Sequence, residues 1–98
     1  MKHTADSINA QIGTSLPIRV AWDGDETREI ALFTVWFGDD QTDYTVEDLD
    51  YTFDVDRQIG PRHYESIGSA SGYAPLARLL IDIINEDIEA GLLAEEDA

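Results

Sequence analysis

Residues 49–56 read LDYTFDVD. Leu49, Tyr51, Phe53 and Val55 alternate with Asp50, Thr52, Asp54 and Asp56, and Asp48 adds one more acid in step. Period-two alternation marks a half-buried strand, and residues two apart on one strand face stand about 6.5–7 Å from each other. The spacing predicts a ladder of carboxylates, Asp48, Asp50, Asp54 and Asp56, on one face. Carboxylates, like phosphate oxygens, accept forked hydrogen bonds from arginine. A nucleic-acid strand carries one phosphate per about 3.4 Å of axis and spaces them more widely along its winding path. The ladder is comparable in order. Its chemistry is that of binding a basic surface; a solvated strand face is the plainer alternative.

The whole chain extends this bias. Its 98 residues contain 21 Asp and Glu against 6 Lys and Arg, a formal net charge of −15. Charge of this size repels nucleic acid and anionic membranes and attracts basic protein surfaces. It is also unevenly placed. From Glu29 to Asp56 there are nine acids and no base, and from Leu79 to Ala98 seven acids and no base. The expected partner-binding residues are Asp39, Asp40, Asp43, Glu47, Asp48, Asp50, Asp54 and Asp56 from the first block, with Asp82, Glu86 and Glu89 from the second.

Other chemistries find little footing. Asp23-Gly24-Asp25-Glu26 has the start of a calcium loop but lacks the later ligands and the terminal bidentate Glu. It reads as a hairpin turn. Asp39, Asp40 and Asp43 make at most a loose divalent-ion cluster, and His3 and His63 are too far apart in sequence to suggest a zinc site. GSASG at 68–72 has Ala70 where a nucleophile elbow needs Ser. No glycine-rich stretch ends in Lys-Ser or Lys-Thr, so no phosphate-binding loop is present. His63 beside Tyr64 and Glu65 reads as a loop or edge residue. No catalytic, cofactor-binding or metal site is expected, and the chain is not expected to be an enzyme.

The elements that must carry the acids follow from pattern. Ile8 and Ile12, with Gly13 behind them, predict a short helix over 5–12. Pro17–Trp22 alternates as a strand. Asp23-Gly24 predicts a tight turn, and Thr27–Phe37, rich in β-branched and aromatic residues, a second strand. Gly38–Gln41 reads as a turn. A strand over Tyr44–Asp56 slips phase, because Tyr44 and Val46 are apolar at even positions and Leu49 onward at odd ones. A bulge or bend near Glu47-Asp48 restores the face; the competing reading makes Thr45–Asp50 a helical turn. Residues 57–73 look loosest, with a Gly60-Pro61 turn and a short edge strand over His63–Ile67. Pro75 opens a helix to about residue 90, its Leu76, Leu79, Leu80, Ile83, Ile84 and Ile88 on one face, stopped by Gly91.

The sum is an α+β fold. A three- to four-stranded, mainly antiparallel sheet carries a C-terminal helix on one face, with a short N-terminal helix, in a single acidic domain over 1–98. Residues 1–4 and 92–98 are expected to fray. There is no cysteine and no apolar run long enough for a transmembrane helix or secretory leader. That predicts a soluble, cytoplasmic protein, in the host cytoplasm if phage-encoded. One helix covers one sheet face, so some of Trp22, Trp36 and Phe37 are expected to remain exposed and to serve a protein contact, including a homodimer.

The expected function is an acidic inhibitor that mimics nucleic acid and blocks the basic surface of a DNA- or RNA-binding protein. It makes no direct contact with nucleic acid or membrane. Small acidic phage proteins that block restriction or CRISPR machinery share this size and charge, a likeness of composition. Two alternatives share the electrostatics: an immunity protein or antitoxin that plugs a basic nuclease, and a halophile-adapted acidic domain, since high-salt cytoplasms favour acids and arginine over lysine.

Overall fold

A computed structural model describes residues 2–14, 16–22, 31–50, 52–61 and 63–92. The described residues form five strands, and apolar residues at three- and four-residue spacing two helices. In order they are α1 (Lys2–Ile12), β1 (Ile18–Trp22), β2 (Ala31–Phe37), β3 (Asp40–Asp48), β4 (Phe53–Gly60), β5 (His63–Ala70) and α2 (Tyr73–Glu89). The strands pair in sequence order β1-β2-β3-β4-β5, every neighbour antiparallel. The Asp23-Gly24 turn, the DGDE stretch and the predicted strand start at Thr27 lie outside the described residues.

Both helices cover the same face of the sheet. Ile18, Val20, Phe33, Val35, Phe37, Tyr44, Val46, Phe53 and Val55 pack there against Ala5, Ile8 and Ile12 of α1 and Leu76, Ala77, Leu80 and Ile84 of α2. Each large apolar side chain buried there contributes about 1.5–3 kcal/mol. α1 begins at Lys2, so Lys2–Thr4, expected to fray, are its first residues. α2 begins two residues before Pro75, which sits in the first turn where its missing N–H costs nothing. Gly91 ends it at φ 77. The Gly91 and Leu92 N–H groups bond the Ile88 and Asp87 carbonyls at 3.1 and 2.8 Å. That is a Schellman stop, for which a left-handed glycine is the natural residue.

Two expectations are corrected. The sheet has five strands, not three or four. The extra strand comes from 44–56, which divides between β3 and β4; the edge strand expected over His63–Ile67 is present as β5 and runs on to Ala70. Its small residues fit because α2 lies close: a Cβ on Gly68 would stand 3.1 Å from a Leu79 methyl. Nor is 44–56 one bent strand. β3 ends at Asp48 and β4 starts at Phe53. Between them Leu49 N–H bonds the Thr52 carbonyl and Thr52 N–H the Asp50 carbonyl, both at 2.8 Å. Asp50 takes the left-handed conformation, φ 62, which aspartate tolerates better than most residues. The phase slip is this turn.

Candidate partner-binding face

Val46 and Val55 are directly opposite each other and fully buried on the helix side of the sheet. Their neighbours therefore point to the uncovered side. Glu47 pairs with Asp54, and Asp56 stands two residues further along β4, opposite Thr45. Three carboxylates thus share one corner of the open face. Cross-strand partners lie about 5 Å apart at Cβ, and Asp54 to Asp56 is one two-residue step. Glu47 and Asp54 are half-buried, and Asp56 is only 9% exposed. Burial, then the charges of Asp56 and Asp54, push the Glu47 carboxyl above its ordinary value. Burial, then Asp54, does the same to Asp56. The Thr45 hydroxyl oxygen is buried without a hydrogen-bond partner among the described residues.

The predicted ladder is therefore rebuilt. Asp54 and Asp56 keep their places. Asp48 falls opposite Phe53, and its Oδ1 accepts the Asp50 N–H at 3.1 Å. It braces the turn and shares no face with Asp54. Asp50 is in the turn itself. The ladder fails because a reversal between β3 and β4 separates Asp48 and Asp50 from Asp54 and Asp56. Glu47, across the hairpin, takes their place.

The other expected residues are dispersed. Asp39 is in the β2–β3 turn, Asp40 opens β3 and Asp43 follows, all exposed near the far end of the hairpin. Asp82, Glu86 and Glu89 are exposed on α2, across the sheet from Glu47, Asp54 and Asp56. Glu47, Asp54 and Asp56 share no groove with Asp82, Glu86 and Glu89, because the sheet lies between them. Among the described residues no three His, Asp or Glu side chains form a metal-holding group.

The aromatic expectation also changes. Phe37 is buried in the core and Trp22 packs against it. Trp36 lies on the open face, half-buried, where its Nε1–H donates to Thr34 Oγ1 at 3.2 Å. Arg19, its cross-strand partner, sits 5.2 Å above the indole ring, a cation–π contact. The open face is thus polarised, with a cation at β1–β2 and three carboxylates at β3–β4. The large apolar side chains that are exposed are elsewhere, Ile59, Tyr64 and Ile67 among them.

One polar pair escaped the sequence. The Tyr44 hydroxyl donates to Asp87 of α2, in a recess also lined by Asp43 and Arg57. Burial first, then Asp87, raises the phenol well above its ordinary value, while Arg57 opposes the shift. Tyr44 pairs with Arg57 across β3–β4, so the recess fixes the last turns of α2 to the sheet. Nothing in the helical pattern sets Asp87 apart from its acidic neighbours. No protein-family model, curated protein or solved structure matches the chain.

Proposed function

We propose that this chain is an acidic inhibitor that covers the basic nucleic-acid-binding surface of a partner protein, presenting Glu47, Asp54 and Asp56 where phosphates would lie. The setting that suits its size and charge is phage counter-defence, against restriction or CRISPR machinery. The observation that supports this is the placing of three carboxylates side by side, half-buried or buried, on the uncovered sheet face. Fully solvated acids lose little by being near one another. These are partly desolvated and held in mutual repulsion, which a cationic partner would relieve. Acids that merely solvate a halophilic protein belong at exposed positions, as Asp39 and Asp40 are.

The test is capture of a partner with the intact chain, then competition with duplex DNA and single-stranded RNA. The Glu47→Gln/Asp54→Asn/Asp56→Asn variant should lose affinity, mainly through slower association, and its binding should depend less on salt. A partner that binds neither nucleic acid, or one that binds the variant as tightly as the parent, would overturn the reading.

A further inference from the structure

The pairing of β3 with β4 sets four acceptors at the corners of one rectangle. Thr45 stands opposite Asp56, and Glu47 opposite Asp54. Opposed residues on a strand pair have Cβ atoms about 5 Å apart, and the two pairs are one two-residue step, about 7 Å, from each other. All four side chains rise from the uncovered face, since Val46 and Val55 between them point to the helices. Two corners have no counterpart in the protein. Asp56 is nine-tenths buried, and no donor among the described residues bonds its carboxylate. The Thr45 hydroxyl oxygen across from it is buried with no hydrogen-bond partner among them. Thr34, opposite Thr45 on its other side, is already committed. Its hydroxyl donates to the Ala21 carbonyl at 3.3 Å and accepts the Trp36 Nε1–H at 3.2 Å.

A buried oxygen left without a donor costs about 1–3 kcal/mol. Any nearby cation relieves the repulsion among the three acids. The Thr45 oxygen is neutral, and only a donor placed on it satisfies it. The corners are also too far apart to close round one metal ion, whose oxygens stand about 2.0–2.6 Å from it, and no three of the described acids form such a group. The site calls for a larger cation that carries several donors.

We propose that the occupant is the guanidinium of an arginine side chain on the basic partner, seated between Thr45, Glu47, Asp54 and Asp56. The proposal rests on the reading of this face as the contact with such a partner, and names the side chain it receives. A guanidinium is planar, with five N–H donors around its edge. It can donate to carboxylates on two sides and to a hydroxyl at the same time. A lysine ammonium is a compact point charge with three donors and reaches fewer corners of a rectangle this wide. Arginine is also the more weakly hydrated cation, so it gives up less on entering a partly buried site.

The experiment titrates the full chain with Nα-acetyl-arginine amide and, separately, with Nα-acetyl-lysine amide at constant ionic strength, read by backbone amide chemical shifts. The arginine probe should saturate with a dissociation constant of about 1–10 mM. The largest shifts should fall at Thr45, Glu47, Asp54 and Asp56, and the lysine probe should bind at least about fivefold more weakly. The Thr45→Val variant keeps the shape and every charge and removes the oxygen. It should lose about two- to tenfold in affinity for the arginine probe, keep its affinity for the lysine probe, and melt no lower than the parent. The Asp56→Asn variant should lose more than Thr45→Val, and with both probes. No saturable shift, equal affinity for the two probes, an arginine affinity unchanged in Thr45→Val, or shifts centred on α2 would each overturn the arginine site. The wider reading is decided separately, with the captured partner. A partner that fails to bind Glu47→Gln/Asp54→Asn/Asp56→Asn but binds Thr45→Val as tightly as the parent overturns the arginine seat alone. One that binds both variants as tightly as the parent overturns the seat and the basic-partner reading together.

Discussion

Neutralising Glu47, Asp54 and Asp56 together should make the fold more stable while it disables the proposed contact. The size of the gain follows from the pairing. Glu47 and Asp54 are directly opposite, about 5 Å apart at Cβ, and the diagonal Glu47–Asp56 separation is about 7–8 Å. Asp54 and Asp56 are about 7 Å apart along β4. Even with the dielectric of water, a lower bound for groups this far buried, the three repulsions come to about 0.8, 0.6 and 0.6 kcal/mol, or about 2 kcal/mol together. At 0.15 M salt, with a screening length of about 8 Å, roughly 1 kcal/mol remains. For a domain of this length that is a rise in melting temperature of about 4–8 °C. The assay is thermal unfolding of parent and Glu47→Gln/Asp54→Asn/Asp56→Asn at low salt, 0.15 M and 1 M. The difference should be largest at low salt and shrink toward high salt. A variant that melts lower than the parent at every salt would refute the reasoning, because it would mean these carboxylates are held by favourable bonds that outweigh their repulsion.

Three further outcomes are expected. Glu47 and Asp56 have raised carboxyl values in the folded protein, so the native state takes up protons before the unfolded chain does, and stability should increase as pH falls from neutral toward about 5; melting curves across this range check it, and the triple-amide variant should show a flatter slope. Leu80→Ala removes a side chain that is 1% exposed beneath the sheet and should cost about 2–5 kcal/mol, read by denaturant unfolding. Asn9→Ala removes two hydrogen bonds and leaves both Val20 groups unpartnered, which should cost about 1–3 kcal/mol and speed amide exchange at Val20, while exchange within β4 stays slow.

The elements legible in the sequence are those whose period is dictated by burial on one face. α2 was legible because Leu76, Leu80 and Ile84 line up at four-residue spacing and all three are buried. β1 was legible because Ile18 and Val20 alternate with Arg19. β5 was legible only as a short edge strand over His63–Ile67; its extension to Ala70 was not, since none of its residues is buried and an edge strand held by backbone bonds leaves little trace in side-chain pattern. The β3–β4 turn was hidden for the opposite reason. Leu49, Tyr51, Phe53 and Val55 continue a strand-like alternation, yet Leu49 is an exposed turn residue. Alternation shows that a segment is extended in parts; it does not show whether the chain reverses within it. Of the carboxylate site, Asp54 and Asp56 were legible as near neighbours in sequence. The adjacency of Glu47 depends on hairpin register, which only the pairing supplies.

The acids are not spread in the way that would best serve folding. Three sit together on the open sheet face at positions where burial and mutual repulsion raise two of their carboxyls. Glu86, Asp87 and Glu89 occupy the last turns of α2, with no base in its final turn. There the negative end of the helix dipole disfavours each by about 0.3–1 kcal/mol. Of these, Asp87 has a structural use, as the acceptor for Tyr44; no such bond is seen for Glu86 or Glu89 among the described residues. The open face is costly in the same way: a threonine or lysine at Asp54 would suit a solvated strand at least as well. Charge kept where it lowers stability is a familiar property of surfaces whose counter-charge arrives with a partner.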